Sequence, residues 1–513
     1  MDNGTVDAGK FRSLLSERAA PLARVALAVA SGKVCLDHPL LCVLLAESDQ
    51  LEAVLDLYGA AHNRDWHTFR MRTAAVRNFS DAACQLLTLE HYAAMGHRSA
   101  DLPDTFLAET QEAQNCLQFI LRCALRYWRE EALHLGLEFG NASIEGTLVR
   151  LALPEGVLAP DHEVQRDLSP EEQVVHLATL SLETGADVRM LQSIREHPPT
   201  DWGALMPDPV CEESLGHIHN RFHMLQSLYD TYVSNTQTEI VDRDLRTLRR
   251  LVQTLARLTR VACLLVHFQE RHADTHEDDP FVSCPECPIG GEIYLQLLFG
   301  YCLGHAADLC QAVRAVAQRI LAHHAKTGTI AVRVPRYHGF HVRPSTMISQ
   351  IVKHYGSAVS MKLAGMEYDA SSVMALIRAN EYIQSEKRNA VGKMVAGTDL
   401  EVCTQGISDR RAAVRRVLSI LEEKGALIVH QHKLPLDELP IDEDANLAEV
   451  VLDVVARLLA ARHIDIPFEL EVEFTGDHRV LKDIQILAEH DYGEDSMGRN
   501  IPLPSTLDYL HRK

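Results

Sequence analysis

The spacing of apolar residues changes once along the chain, near Gly328, and this change constrains the fold more than any other feature. Before it, apolar residues recur every three or four positions, as in Val241, Leu245, Leu248 and Val252. That period matches one face of an α-helix. After it, short runs alternate apolar and polar residues, which is the period of a strand with one buried face. We therefore predict a multidomain chain with a mostly α-helical N-terminal half, followed by α+β units.

Stretches rich in proline and glycine separate the predicted elements, and a chain of 513 residues is too long for a single core. Long helices are predicted over 106–139, 240–272 and 292–324. Four domains are predicted: a helical domain (1–200), a helical bundle or hairpin region (201–325), a small α+β domain (328–425) and a small α+β C-terminal unit (426–513).

The charge of the chain bears on its partners. The net charge of −21 argues against nucleic acid as a partner. Residues 328–425 hold 14 Lys and Arg against 9 Asp and Glu, a balance of +5, so the remainder carries −26. A basic module within an acidic protein favours docking on an acidic partner surface, or on acidic parts of its own chain.

The location of the protein is predicted from what its sequence contains. The N-terminus is polar and acidic, and no apolar run has the length needed to insert into a membrane. The 12 cysteines are scattered and often lie in apolar helical stretches, which is typical of reduced, buried thiols. We therefore expect a cytoplasmic protein.

The elements predicted within 328–425 follow the order β-α-β-β-α-β-α. They are a strand at 330–334, a helix at 343–355, strands at 359–363 and 367–369, a short helix at 372–379, a strand at 400–405 and a helix from Ser408 to Gly425. This order predicts a small antiparallel sheet covered on one face by helices, an open-faced β-sandwich.

The predicted C-terminal unit has its own set of elements. They are a short strand at 426–429, a helix at 446–461, an alternating strand at 468–474 and a return strand that ends near Leu487. We expect Gly476 and Asp477 to form the turn between the last two.

The segment Gly339-Phe340-His341-Val342-Arg343-Pro344 lies where the first strand of 328–425 meets its first helix. Helix starts bind anions because several backbone N–H groups are unpaired and the helix dipole is positive there. A histidine with an arginine two residues later can hold a phosphoryl group at such a position.

Residues 328–425 resemble HPr, the histidine phosphocarrier of the phosphoenolpyruvate-dependent sugar phosphotransferase system. The signature of that family is Gly-(Leu/Ile)-His-Ala-Arg-Pro, and residues 339–344 read Gly-Phe-His-Val-Arg-Pro. Its Ser-Ile-Met-Gly-like regulatory segment matches Ser372-Val373-Met374-Ala375. The resemblance implies that His341 is phosphorylated, that Arg343 stabilises the phosphate and that Ser372 is the regulatory position. It also implies partner docking through Phe340, Val373 and Met374.

The leading hypothesis is therefore a phosphocarrier or regulatory protein of this system, rather than an enzyme that turns over a substrate. Its partners would be enzyme I and a downstream phosphoryl acceptor, with no cofactor required. The sequence contains no nucleotide-binding motif that would let it phosphorylate itself from ATP.

Two alternatives remain. The first is an interaction protein that keeps the HPr fold as a scaffold, with Val342 and residues 378–397 closing the site. The second is a metal-binding helical sensor. His272, His276, Cys284 and Cys287 pair two histidines on one helix face with a Cys-x-x-Cys segment, which is compatible with a structural zinc site.

Overall fold

The computed structural model describes residues 6–32, 34–94, 102, 105–139, 170–187, 189–273, 281–283, 291–430, 434–495 and 498–511. The chain divides into two compact units, Met1–Ile320 and Leu321–Lys513. The described residues are mostly helical and include a small antiparallel sheet. The prediction of a multidomain, helix-rich chain is confirmed at this level. The boundaries predicted at residues 200 and 425 do not coincide with the observed division.

The first unit is built from α-helices, of which the longest exceed 20 residues. They are α1 Ala8–Ala30, α2 His38–Leu57, α3 His67–Ala94, α4 Phe106–His134, α5 Pro170–Asp187, α6 Arg189–Glu196, α7 Glu212–Tyr232, α8 Gln237–Val241, α9 Arg243–Phe268, α10 Glu292–Leu295 and α11 Gly304–His324, the last of which continues into the second unit. Short 3₁₀ segments span Ala60–His62 and Pro199–Leu205, and π-helical segments span Gln269–Ala273 and Gln296–Leu303.

Helix α9 is largely buried and packs on α3 and α7. Its residues Leu245, Leu248, Val252 and Leu255 are buried, so the helical spacing seen in the sequence is the packing face. The segment Arg243–Arg271 is the one stretch, among the residues described, long and apolar enough to cross a membrane, but 78% of its apolar window is buried. This burial is that of a core helix of the first unit.

The second unit contains all the described strands. Its elements are β1 Thr327–Arg333, α12 Val342–Tyr355, β2 Val359–Leu363, β3 Met366–Asp369, α13 Val373–Ala396, α14 Leu400–Cys403, α15 Arg410–Glu423, β4 Ile428–Val429, α16 Leu447–Ala460, β5 Ile464–Asp465, β6 Glu471–Asp477 and α17 His478–Glu489. Two 3₁₀ turns, Asp491–Gly493 and Ser505–His511, follow.

A four-stranded antiparallel sheet has the order β1-β6-β2-β3. Phe474 of β6 is paired with Ile330 of β1 on one side and with Met361 of β2 on the other. One face of the sheet packs on α12, α13 and α17 around a shared apolar core, whereas Glu471 and Glu473 are exposed. The sequence places β6 in a separate unit at 426–513. This prediction is wrong, because β6 pairs with β1 and β2 in the same sheet.

Three further predictions differ from the structure. The strand predicted at 400–405 is instead the one-turn helix α14, because the Asp399 side chain accepts the Val402 N–H and caps a helix. The return strand predicted after Gly476-Asp477 is helix α17, which Asp477 caps by accepting the Arg479 N–H. The helix predicted to end near Ala379 continues to Ala396.

Residues 397–470, which lie between α13 and β6, are called here the intervening segment. Its helices α15 and α16 and its two-stranded sheet, β4 with β5, surround a second apolar core. Val391 and Val395 of α13 also belong to this core. Helix α13 therefore packs at one end on the four-stranded sheet and at the other on the intervening segment.

Candidate functional site

The loop between β1 and α12 presents His341 at a helix start. His341 is the N-cap residue of α12, and its carbonyl accepts the Ser345 N–H at 3.2 Å. The Ser345 hydroxyl donates to the Phe340 carbonyl at 3.0 Å, which closes the turn from inside. Pro344 lies in the first helical turn, where an N–H has no partner to bind. The local sequence therefore accounts for the position of the histidine.

Glu494 holds the imidazole of His341. The distance from Nε2 of His341 to Oε2 of Glu494 is 2.8 Å, and their side chains are 12% and 6% exposed. Arg343 faces the same carboxylate, with its Nε at 3.6 Å from Oε1, and its Nη2 donates to the Gly493 carbonyl at 3.2 Å. His341 and Arg343, both predicted from the sequence, therefore meet around one anionic group.

Tyr492 explains why Glu494 lies at this position. The Tyr492 hydroxyl donates to the carbonyl of Arg333, at the end of β1, at 2.6 Å. Its buried ring packs edge-on against Phe340, and burial raises its pKa far above the usual range. The turn after α17 is thus anchored beside the His341 loop. Sequence reasoning missed Glu494, because no local pattern links it to a loop 153 residues earlier.

The pairing with Glu494 determines which ring nitrogen of His341 carries the proton and which can act as a nucleophile. A carboxylate is only an acceptor, so a neutral imidazole bound to it carries its proton on Nε2. The lone pair is then on Nδ1, which becomes the nucleophilic atom. Glu494 also stabilises positive charge on the ring when Nδ1 forms a new bond. This arrangement suits transfer of a group to and from Nδ1.

The residues predicted to dock partners differ in how far they are exposed. Phe340 is fully buried in the core of the sheet, so its predicted role in docking is corrected to one in packing. Val373 is half-buried, and Met374 is 66% exposed beside it. Val342, next to His341, is also exposed. Met374 and Val342 are thus available at the surface.

Ser372, predicted as a regulatory position, is the N-cap of α13. Its hydroxyl accepts the Ala375 N–H at 3.2 Å, and the residue is half-buried. Phosphate at an N-cap is compatible with the helix dipole, because negative charge is stabilised there. Regulation through Ser372 stays a prediction.

A buried polar cluster lies behind the loop that carries His341. Lys387 of α13 and Asp465 of β5 form an ion pair with Nζ 2.7 Å from Oδ1, and each side chain is 1% exposed. Asp465 Oδ2 accepts the backbone N–H of His338 at 2.8 Å. Burial lowers the pKa of His338 to about 4, against the opposing effect of Asp465. Burial also lowers the pKa of the neighbouring His430.

The predicted zinc ligands cannot be compared with the structure. His276, Cys284 and Cys287 lie outside the described residues, as does the side chain of His272. Within the described part of the chain, no group of three or more histidine, cysteine, aspartate or glutamate side chains has a geometry that could hold a metal ion.

Comparison with known proteins adds no assignment to this site. No protein-family model matches the chain, and neither a curated protein nor a solved structure matches it. The geometry around His341 and the motif that contains it are therefore the features from which a function can be proposed.

Proposed function

We propose that the second unit contains an HPr-like phosphocarrier module in which His341 accepts a phosphoryl group from enzyme I. The module would pass it to a partner, as a carrier or as a regulator of the sugar phosphotransferase system. The observation that carries the proposal is the pairing of His341 with Glu494, since it leaves Nδ1 as the nucleophile at a helix start.

The order of elements supports this proposal. With the intervening segment set aside, β1, α12, β2, β3, α13, β6 and α17 follow the order β-α-β-β-α-β-α. The strand and helix that complete this order are β6 and α17, instead of the predicted 400–405 and 408–425. An HPr-like module would therefore extend over roughly 327–489, with the intervening segment inserted before its last strand and Glu494 in the turn that follows α17.

The proposed transfer is a direct exchange of one bond. Nδ1 of His341 attacks the phosphorus atom, an N–P bond forms, the bond between phosphorus and the donor breaks, and its electron pair leaves with the donor. Glu494 keeps the proton on Nε2 and offsets the positive charge of the phosphorylated ring. The unpaired amides at the start of α12 and the guanidinium of Arg343 stabilise the phosphoryl oxygens.

A phosphorylation assay tests the proposal. The full chain is incubated with phosphoenolpyruvate and enzyme I, and acid-labile phosphate is measured. We expect the label on the wild type and on His478→Ala, which changes an exposed histidine of α17, and its loss in His341→Ala. Absence of label on the wild type with every cognate enzyme I would contradict the carrier function.

A second candidate function is a scaffold that retains the fold without the chemistry. The low exposure of the His341 side chain, 12%, and the contact of Arg343 with the Glu494 carboxylate favour it. In a scaffold, Glu494 occupies the anion position permanently. Wild type and Glu494→Ala would then both stay unlabelled, whereas a carrier is labelled at least in the wild type.

A further inference from the structure

The turn that leads to His341 has an unusual backbone conformation. His338 and Gly339 both lie in the left-handed region, with φ of 54° and 63°. Glycine adopts this conformation freely, but histidine does so at a cost, and such residues persist where neighbouring groups hold them. A Cβ at position 339 would meet Asn380 Oδ1, so together with the positive φ this position favours glycine.

Side chains on one face of α13 contact the backbone carbonyls of this turn. Asn380, Gln384 and Lys387 are spaced by four and three residues, so they share a helix face. The amides of Asn380 and Gln384 donate to the His338 carbonyl at 2.9 and 3.2 Å. The Lys387 ammonium lies 3.5 Å from the Arg336 carbonyl. Three residues of 378–397 therefore contact the backbone carbonyls of the turn.

The Asp465 carboxylate binds a backbone N–H of the same turn. Its Oδ2 accepts the His338 N–H, and its Oδ1 accepts from Lys387 and from the Ile466 N–H, each at 2.7 Å. A buried ion pair is tolerated where its remaining hydrogen-bonding capacity is satisfied. Each oxygen of Asp465 has a separate partner, so the carboxylate has a fixed orientation.

We propose that Asp465, Asn380 and Gln384 are positioning residues for His341, because they hold the N–H and the carbonyl of His338 and so fix the turn at 336–339 in the conformation that brings the imidazole to Glu494. Lys387 supplies the counter-charge of Asp465. Asp465 belongs to the intervening segment, so this segment is coupled to the geometry of the site. The expected effect on the rate of phosphoryl transfer rests on the proposed function. The expected effect on the orientation of the His341 ring does not.

Two matched double variants test the proposal. Lys387→Met/Asp465→Asn removes both charges but retains an oxygen acceptor for the His338 N–H. Lys387→Met/Asp465→Leu removes the charges and the acceptor. The readout is the ¹⁵N spectrum of the full chain labelled on histidine, with the His341 signals assigned from a His341→Gln variant.

We expect His341 to keep its Nε2–H tautomer in the Met/Asn variant and to show a mixture of tautomers in the Met/Leu variant. Phosphorylation of the Met/Leu variant should be slower by about tenfold or more, because the reacting nitrogen is misplaced. A folded Met/Leu variant with an unchanged His341 spectrum would overturn the proposal.

If the Met/Leu variant does not fold, Asn380→Ala/Gln384→Ala removes the two side chains that hold the His338 carbonyl and leaves the ion pair in place. The same change of tautomer is expected, and an unchanged spectrum overturns the proposal. Failure of the proposed function has a different signature: no variant, including the wild type, takes up phosphate, while the spectra still change as expected.

Discussion

Nε2 of His341 lies 2.8 Å from Oε2 of Glu494, although 153 residues separate the two in the chain. The carboxylate reaches the imidazole from the turn after α17, and the turn is anchored by Tyr492 on the end of β1. This contact determines which ring nitrogen can react. It also makes Glu494, which no sequence motif contains, a central residue of the site.

Replacement of Glu494 tests whether the carboxylate orients the ring or obstructs it. In Glu494→Gln the acceptor is neutral, so we expect His341 to lose its preference for the Nε2–H tautomer and phosphorylation to slow by about tenfold or more. The rate with enzyme I is the measurement. Glu489→Gln, on an exposed position of α17, is the control. Faster phosphorylation of Glu494→Gln would identify Glu494 as an obstruction.

Phe340 is expected to contribute to stability rather than to docking. Its side chain is fully buried, so Phe340→Ala should lower the free energy of unfolding by about 3–5 kcal/mol. Met374→Ala, at an exposed position, should change it by less than about 0.5 kcal/mol. Denaturant unfolding monitored on the second unit measures both. Equal, small effects would show that Phe340 is not part of the core.

The buried ion pair predicts a strong dependence of stability on its two members. Lys387→Met leaves the Asp465 carboxylate buried without its counter-charge, and we expect a loss of about 3–5 kcal/mol in the free energy of unfolding. The double variant Lys387→Met/Asp465→Asn removes both charges and should lose less. Urea unfolding of the three proteins compares them. A single variant as stable as the double variant would contradict this role.

The lowered pKa of His338 predicts that the protein loses stability in acid. Burial lowers its pKa from 6.5 to about 4, Asp465 acts in the opposite direction, and His430, Lys387 and Arg462 add to the lowering. The folded state therefore stays neutral at this ring while the unfolded state takes up a proton. The contribution is fully present above about pH 6.5 and is lost as the pH falls towards about 4.

The variant His338→Asn isolates this effect, since asparagine tolerates the left-handed conformation. The free energy of unfolding is measured by urea at several pH values between 4 and 7. We expect a smaller decrease in acid for the variant than for the wild type, and His478→Ala, an exposed change, should behave as the wild type. An identical decrease in His338→Asn would exclude His338 as its source.

Local patterns predicted the elements that carry the motif. The alternation of Ile330 and Val332, and the helical spacing of Ile348, Ile351 and Val352, correspond to β1 and α12. These patterns suffice because each element buries one face against the same core. The strand at 468–474 was also predicted, but its partners were not, since pairing with β1 depends on tertiary packing across the intervening segment.

The two wrongly predicted strands, at 400–405 and after Gly476-Asp477, have a common physical origin in helix capping. Asp399 and Asp477 each accept a backbone N–H at a helix start, in stretches where apolar residues are compatible with either period. In α17 the buried residues Val480, Leu481, Ile484 and Leu487 have helical spacing, and this signal was available in the sequence. For Glu494 and Asp465 the contacts are long-range, so local reasoning could not identify them.

The most direct test of the account is to locate phosphate on the His341 ring. The full chain, labelled with ¹⁵N on histidine, is phosphorylated with phosphoenolpyruvate and enzyme I, and the N–P bond is assigned by ³¹P and ¹⁵N spectroscopy. We predict a phosphoryl group on Nδ1 of His341, with Nε2 still protonated and bound to Glu494. A phosphoryl group on Nε2, or none on His341 with every cognate enzyme I, would contradict the account.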